Sequence, residues 1–137
     1  MTLTLSHTFI AVDDHEAALK FYRDALGLKV TKDIAYEGMR WVSLSSDDQP
    51  GVEIVLEPPA ADPNTSPADR KVLAELMAKG LLRGVAFATD DVDGTFERVA
   101  ASGAEVVQEP MDQHYGTRDC AFRDPSGNFI RINQAHS

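Results

Sequence analysis

The apolar positions switch between two spacings along the chain. From Leu5 to Val12 they suit a strand, since residues two apart share one face of the pleat. Ala18, Leu19, Tyr22, Ala25 and Leu26 instead recur at helical spacing, which predicts a helix over 15–26 with Lys20, Arg23 and Asp24 outward. Asp13-Asp14 stands ready to cap that helix, because a carboxylate accepts the free amide hydrogens of a first turn, and Gly27 suits its end. Strands are predicted at Leu28–Ile34, Gly38–Ser43 and Val52–Glu57. Within Gly38–Ser43, Met39 and Trp41 share one face while Arg40 and Val42 share the other. Pro58-Pro59 ends the first run of strands, because proline lacks the amide hydrogen a ladder needs.

Residues 58–66 are rich in Pro, Asp and Asn and read as a linker. Ser66 as N-cap and Pro67 in the first turn then predict a helix near 67–79, with Val72, Leu73, Leu76 and Met77 as its apolar face and Gly80 after it. A strand at Leu82–Thr89 follows. Asp90-Asp91 opens a helix with Phe96, Val99 and Ala100 inward, and a short strand at Glu105–Val107 comes after Gly103. The chain then reads as a hairpin, with Asp124-Pro125-Ser126-Gly127 as the tight turn between a strand bearing Cys120 and Phe122 and one bearing Phe129, Ile130 and Ile132.

The order repeats. Asp13-Asp14, a helix, Gly27 and a strand are matched by Asp90-Asp91, a helix, Gly103 and a strand. The expected fold class is therefore α+β: two β-α-β-β-β modules with mixed sheets curled around a cavity. The expected boundaries are 1–57 for the first module, 58–81 for a linker with its helix, and 82–137 for the second module, all within one compact domain.

Charge and composition narrow the function classes. The chain has 137 residues and a net charge of −9, which would be repelled by phosphate backbones, so no nucleic-acid partner is expected. No apolar run approaches the roughly 18 residues of a membrane span, and the start carries no basic stretch of a secretory leader. The single Cys120 has no internal partner, which fits a reducing, cytoplasmic setting.

Four stretches together resemble a known family. They are His7 ahead of Val12-Asp13-Asp14, Phe21-Tyr22-Arg23-Asp24-Ala25-Leu26-Gly27-Leu28, Gly84 to Asp93, and Phe122-Arg123-Asp124-Pro125-Ser126-Gly127-Asn128. The chain is similar to the vicinal oxygen chelate superfamily of glyoxalase I, extradiol dioxygenases, and fosfomycin- and bleomycin-resistance proteins. The resemblance implies a site on the inward faces of two sheets, often holding a divalent ion through nitrogen or amide ligands and carboxylates. His7 occupies the first such position. Its counterpart in the second half is Gly84, which has no side chain, and the place after the Asp-Pro-Ser-Gly turn holds Arg131. The remaining position falls near Val55, whose same-face neighbours are Glu53 and Glu57.

Such an ion needs at least three protein ligands, and His7 with Glu53 supplies two. No metal and no other cofactor is therefore expected. Arg131 instead calls for an anion, either Glu53 or Glu57 internally or a carboxylate, phosphate or enolate on a ligand. The candidate ligand-binding residues are His7, Trp41, Glu53, Tyr115, Arg118 and Arg131. His15 and His136 are expected to be solvated, and Cys120 is not expected to act as a nucleophile. The expected function is a metal-independent small-molecule binder that works as a homodimer. The alternative is a lyase, isomerase or dioxygenase acting through an enolate-like intermediate or an altered metal site, with Arg131 and His7 as charge stabiliser and proton shuttle.

Overall fold

The computed structural model describes residues 2–135. The chain divides into two compact units between Glu75 and Leu76. The first unit carries strand β1 (His7–Ala11), helix α1 (His15–Leu19), and strands β2 (Lys29–Tyr36), β3 (Met39–Ser46) and β4 (Gln49–Glu57). Helix α2 (Pro67–Ala78) runs across the division. The second unit carries β5 (Arg83–Thr89), α3 (Val92–Ala101), β6 (Glu105–Asp112), β7 (Arg118–Arg123) and β8 (Phe129–Gln134).

The two sheets have the same topology, β1-β4-β3-β2 and β5-β8-β7-β6. In each, the first strand runs parallel to the last and the remaining pairs are antiparallel. The repeat is therefore structural: each half is a four-stranded, open, mixed sheet in an α+β fold.

The caps behave as their side-chain chemistry requires. The Ala17 amide donates to Asp14 Oδ1 at 3.1 Å, and the Gly94 amide donates to Asp91 Oδ1 at 3.0 Å, so the second aspartate of each pair does the capping. Ser66 Oγ accepts from the Asp69 amide at 3.1 Å and starts α2 just ahead of Pro67. The helix predicted over 15–26 begins as α1 and continues as a π-helix over Lys20–Ala25, where the Leu26 amide reaches back to the Phe21 carbonyl at 2.9 Å. Of the apolar face expected for α2, Met77 is buried, while Val72 is exposed.

Helix α3 packs against β6, β7 and β8 of its own sheet. Ile10, Val12, Leu19, Tyr22, Val42, Leu44 and Leu56 are buried in the first unit. In the second, Val92 and Val99 of α3 are buried, as are Cys120, Phe122, Ile130 and Ile132 of the strands, and Phe96 stacks on Phe122 at 5.4 Å. Each large side chain so removed from water contributes about 1.5–3 kcal/mol. The strand expected at Glu105–Val107 continues to Asp112, passing through Pro110. That is allowed because β6 is an edge strand and Pro110 falls where its register against β7 shifts, between Gln108 and Met111.

Candidate functional site

The geometry of the second unit starts from its last turn. Asp124 Oδ1 accepts from the Ser126 and Asn128 amides at 2.9 and 2.8 Å, and the Gly127 amide closes on the Asp124 carbonyl at 2.9 Å. Gly127 has φ +94°, and a Cβ there would collide with the Met77 carbonyl, so the turn needs glycine twice over. The turn fixes the register of β7 against β8 as Ala121↔Arg131 and Asp119↔Asn133. Cys120, Phe122, Ile130 and Ile132 thereby share one face, and Asp119, Ala121 and Arg131 share the opposite one.

On that opposite face Asp119 and Arg131 are diagonal neighbours. Arg131 Nη1 donates to Asp119 Oδ2 at 2.8 Å. Asp119 is fully buried and also accepts from Gln108 Nε2 at 2.7 Å, Gln113 Nε2 at 2.9 Å and, at the long distance of 3.4 Å, Tyr115 Oη. Burial pushes its carboxyl up, but the hydrogen bonds from Gln113, Gln108 and Arg131 outweigh that effect and hold it below the usual carboxylate range. The expected internal partners of Arg131, Glu53 and Glu57, are thus replaced by Asp119. Two residues back from Ala121 on the neighbouring strand, Asp119 is the nearest acid that the β7–β8 register places on that face.

The Arg131 guanidinium also stands over the Phe129 ring, 5.3 Å from its centroid, and Arg83 stands 5.5 Å from the same centroid. These three side chains line a shallow cavity of about 130 Å³ with Gly84, Val85 and Ala86. Tyr115, in the turn between β6 and β7, is largely exposed and touches the site through its hydroxyl. Arg118 lies elsewhere. Its parity along β7 puts it on the face of Cys120, and its guanidinium is held by Asp93 of α3 at 2.7 Å and by Asp112 at 3.3 Å.

The first unit brings together another predicted pair. His7 and Glu53 are direct partners of parallel β1 and β4. His7 Nε2 is 3.4 Å from Glu53 Oε2, an ion-pair separation without hydrogen-bond alignment, and that oxygen is buried with no hydrogen-bond partner among the described residues. Phe9 and Val55 continue the same face, and Glu57 lies on it with its carboxyl pushed up by burial. Trp41 is the cross-strand partner of Ile34, on the face away from Arg40, which pairs with Glu16 and Asp33. Phe9 and Ile34 are more than half exposed. His15 departs from expectation: it is half-buried and its Nε2 donates to the Leu56 carbonyl at 3.2 Å. His136 lies outside the described residues.

The profile of the Glyoxalase/Bleomycin resistance protein/Dioxygenase superfamily matches residues 4–132. The chain belongs to this superfamily. It is 33% identical to the uncharacterized protein YurT of Bacillus subtilis (strain 168), over 93% of this chain and 95% of that one. Among solved structures it is similar to UcmS2 at 32% identity and TM-score 0.86, covering 97% of this chain and 98% of that one. It is also similar to TnmS3, an antibiotic binding protein from Streptomyces sp. CB03234, at 27% identity and TM-score 0.75, covering 98% of each. A stretch of 4-hydroxyphenylpyruvate dioxygenase from Neurospora crassa matches at 32% identity, over 72% of this chain and 27% of that protein.

Against the glyoxalase-type metal site, the residues present do not fit. The described residues contain no group of three His, Cys, Asp or Glu side chains placed to hold an ion. Arg131 puts a fixed cation where a carboxylate ligand is expected. At Gly84 the obstacle is geometric as well as chemical. A Cβ there would lie 2.5 Å from the Phe129 carbonyl oxygen and 2.9 Å from Ile130 Cδ1, so it would point into β8. A ligand side chain at position 84, such as Gly84→His, would therefore clash with the β8 backbone before it could reach an ion.

Asp119, Gln108, Gln113 and Arg83 were not among the expected site residues. Alternation did carry a signal for Asp119, which shares strand parity with Ala121 and is the acid of β7, the strand beside Arg131's. Gln108 and Gln113 carried none, because the register breaks twice between β6 and β7.

Proposed function

We propose that this superfamily member is a metal-independent binder of a small aromatic molecule, a metabolite or an antibiotic, rather than a metal-dependent enzyme. The observation that carries the reading is the buried Asp119–Arg131 pair, which fills a family ligand position with a neutralised cation. The antibiotic-binding relative TnmS3 supports the same class. His7, Trp41, Glu53, Tyr115 and Arg131 are the proposed contacts. Arg118 is the weakest of the original set, since its guanidinium is already held by two carboxylates.

The protein is proposed to act as a homodimer in the cytoplasm, with no nucleic-acid or membrane partner. Among the described residues no helix is long and apolar enough to cross a membrane. Light scattering would read about twice the 15.0 kDa chain mass for the dimer.

A thermal-shift screen of antibiotics and aromatic metabolites in excess chelator tests the binding reading. A specific ligand raises the melting temperature by mass action. Hits that persist in chelator support the proposal, and hits that appear only with added divalent ion overturn it. A second reading, an enzyme working through an enolate-like intermediate, draws on the His7–Glu53 pair with its unbonded oxygen. It predicts turnover of a hit compound that is lost in His7→Ala.

A further inference from the structure

We infer that the cavity between Arg83 and Arg131 is an anion subsite that takes the carboxylate of an aromatic monocarboxylate, with Phe129 beneath it. The inference deepens the binding function proposed above and rests on it. Arg83 forms no ion pair among the described residues, although it lines the cavity and stands over Phe129.

The chemistry of the lining selects the ligand. A guanidinium fork matches the two oxygens of a carboxylate, and Arg83 keeps its whole fork free for one. Arg131 spends Nη1 on Asp119, which leaves it other donors. The local charge favours a single negative charge: two guanidinium cations are offset by the one buried Asp119 carboxylate. A dianion such as phosphate would bring its second charge toward Asp119 with nothing to balance it. The remaining lining is apolar, with Val85, Ala86 and the Phe129 ring. The cavity of about 130 Å³ has room for roughly four water molecules, the scale of a ring or of the carboxylate end of a larger ligand.

Benzoate is the probe, with benzamide as its neutral isostere and inorganic phosphate as a dianionic control. Calorimetric titration of the full chain would compare wild type with Arg83→Gln and Arg83→Lys. Arg83 is exposed, so neither change disturbs the core. Wild type should bind benzoate saturably and at least about tenfold more tightly than benzamide or phosphate, the scale of one charge-assisted hydrogen bond. Arg83→Gln should weaken benzoate about tenfold, and Arg83→Lys should fall between, because an ammonium keeps the charge without the fork. Equal binding of benzoate and benzamide, equal or tighter binding of phosphate, or an unchanged Arg83→Gln variant would each overturn the subsite. If a screen hit binds Arg83→Gln as it binds wild type while benzoate does not bind at all, the subsite is refuted and the binding function stands. If no compound binds in chelator, both fall.

Discussion

Asp119→Asn is the sharpest perturbation of the second unit. The native carboxylate faces only donors: Gln108 and Gln113 at one oxygen, and Arg131 with the more distant Tyr115 at the other. An asparagine keeps the shape but carries an NH₂ group. Whichever way the amide turns, a donor meets a donor, and Arg131 loses its counter-charge. Removing one partner of a fully buried ion pair costs about 3–5 kcal/mol. The Arg131 side chain is 32% exposed, so water recovers part of that. We expect a loss of about 2–3 kcal/mol, and a fall in Tm on the order of 10 °C for a chain of this length. Calorimetry on wild type, Asp119→Asn, Arg131→Gln and the double variant would measure it, with a coupling above about 1 kcal/mol between the two sites.

The pH dependence follows from the same contacts. Asp119's folded pKa lies below the ordinary aspartate value of 3.8. Its contribution is therefore complete above that value and is lost as pH falls through the folded pKa. The stability gap between wild type and Asp119→Asn should stay constant at neutral pH and close only in acid, below about pH 4. A Tm fall of less than about 3 °C, or additive single changes, would show that the pair behaves like an exposed surface contact and would refute the reasoning.

Two further outcomes are expected. Gly84→Ala should destabilise the fold by about 1–3 kcal/mol through its contact with the Phe129 carbonyl, and a Tm equal to wild type would show that β5 can shift away from β8. Cys120 should resist a disulfide reagent at pH 8 until the chain unfolds, because burial, with the Asp119 and Asp93 carboxylates adding to it, pushes the thiol up to about 11; rapid labelling of the native protein would contradict this.

What was legible in advance was local chemistry. Asp14, Asp91 and Ser66 cap the helices they were expected to cap, and Asp124-Pro125-Ser126-Gly127 makes its turn, because each depends on residues within four positions. The paired sheets followed from repetition of those signals. Contacts across strands were harder. The identity of Arg131's partner depends on the β7–β8 register, whereas Glu53 and Glu57 follow from the family position near Val55 and its same-face neighbours, which carry no information on that register. Arg118 was misplaced relative to Arg131 for a simpler reason: it shares parity with Cys120, which faces the helix. The extension of β6 past Pro110 was hidden because a proline reads as a strand breaker until the strand is known to lie at an edge.

Elemental analysis of the protein purified without chelators, followed by calorimetric titration with Zn²⁺ and Mn²⁺, tests the central claim most directly. The account predicts well under one equivalent of zinc, iron, manganese or nickel, and no tight binding on titration. One equivalent of metal in wild type that is lost in His7→Ala and Glu53→Gln would contradict it, and would mean that Arg131 does not displace the family's ion.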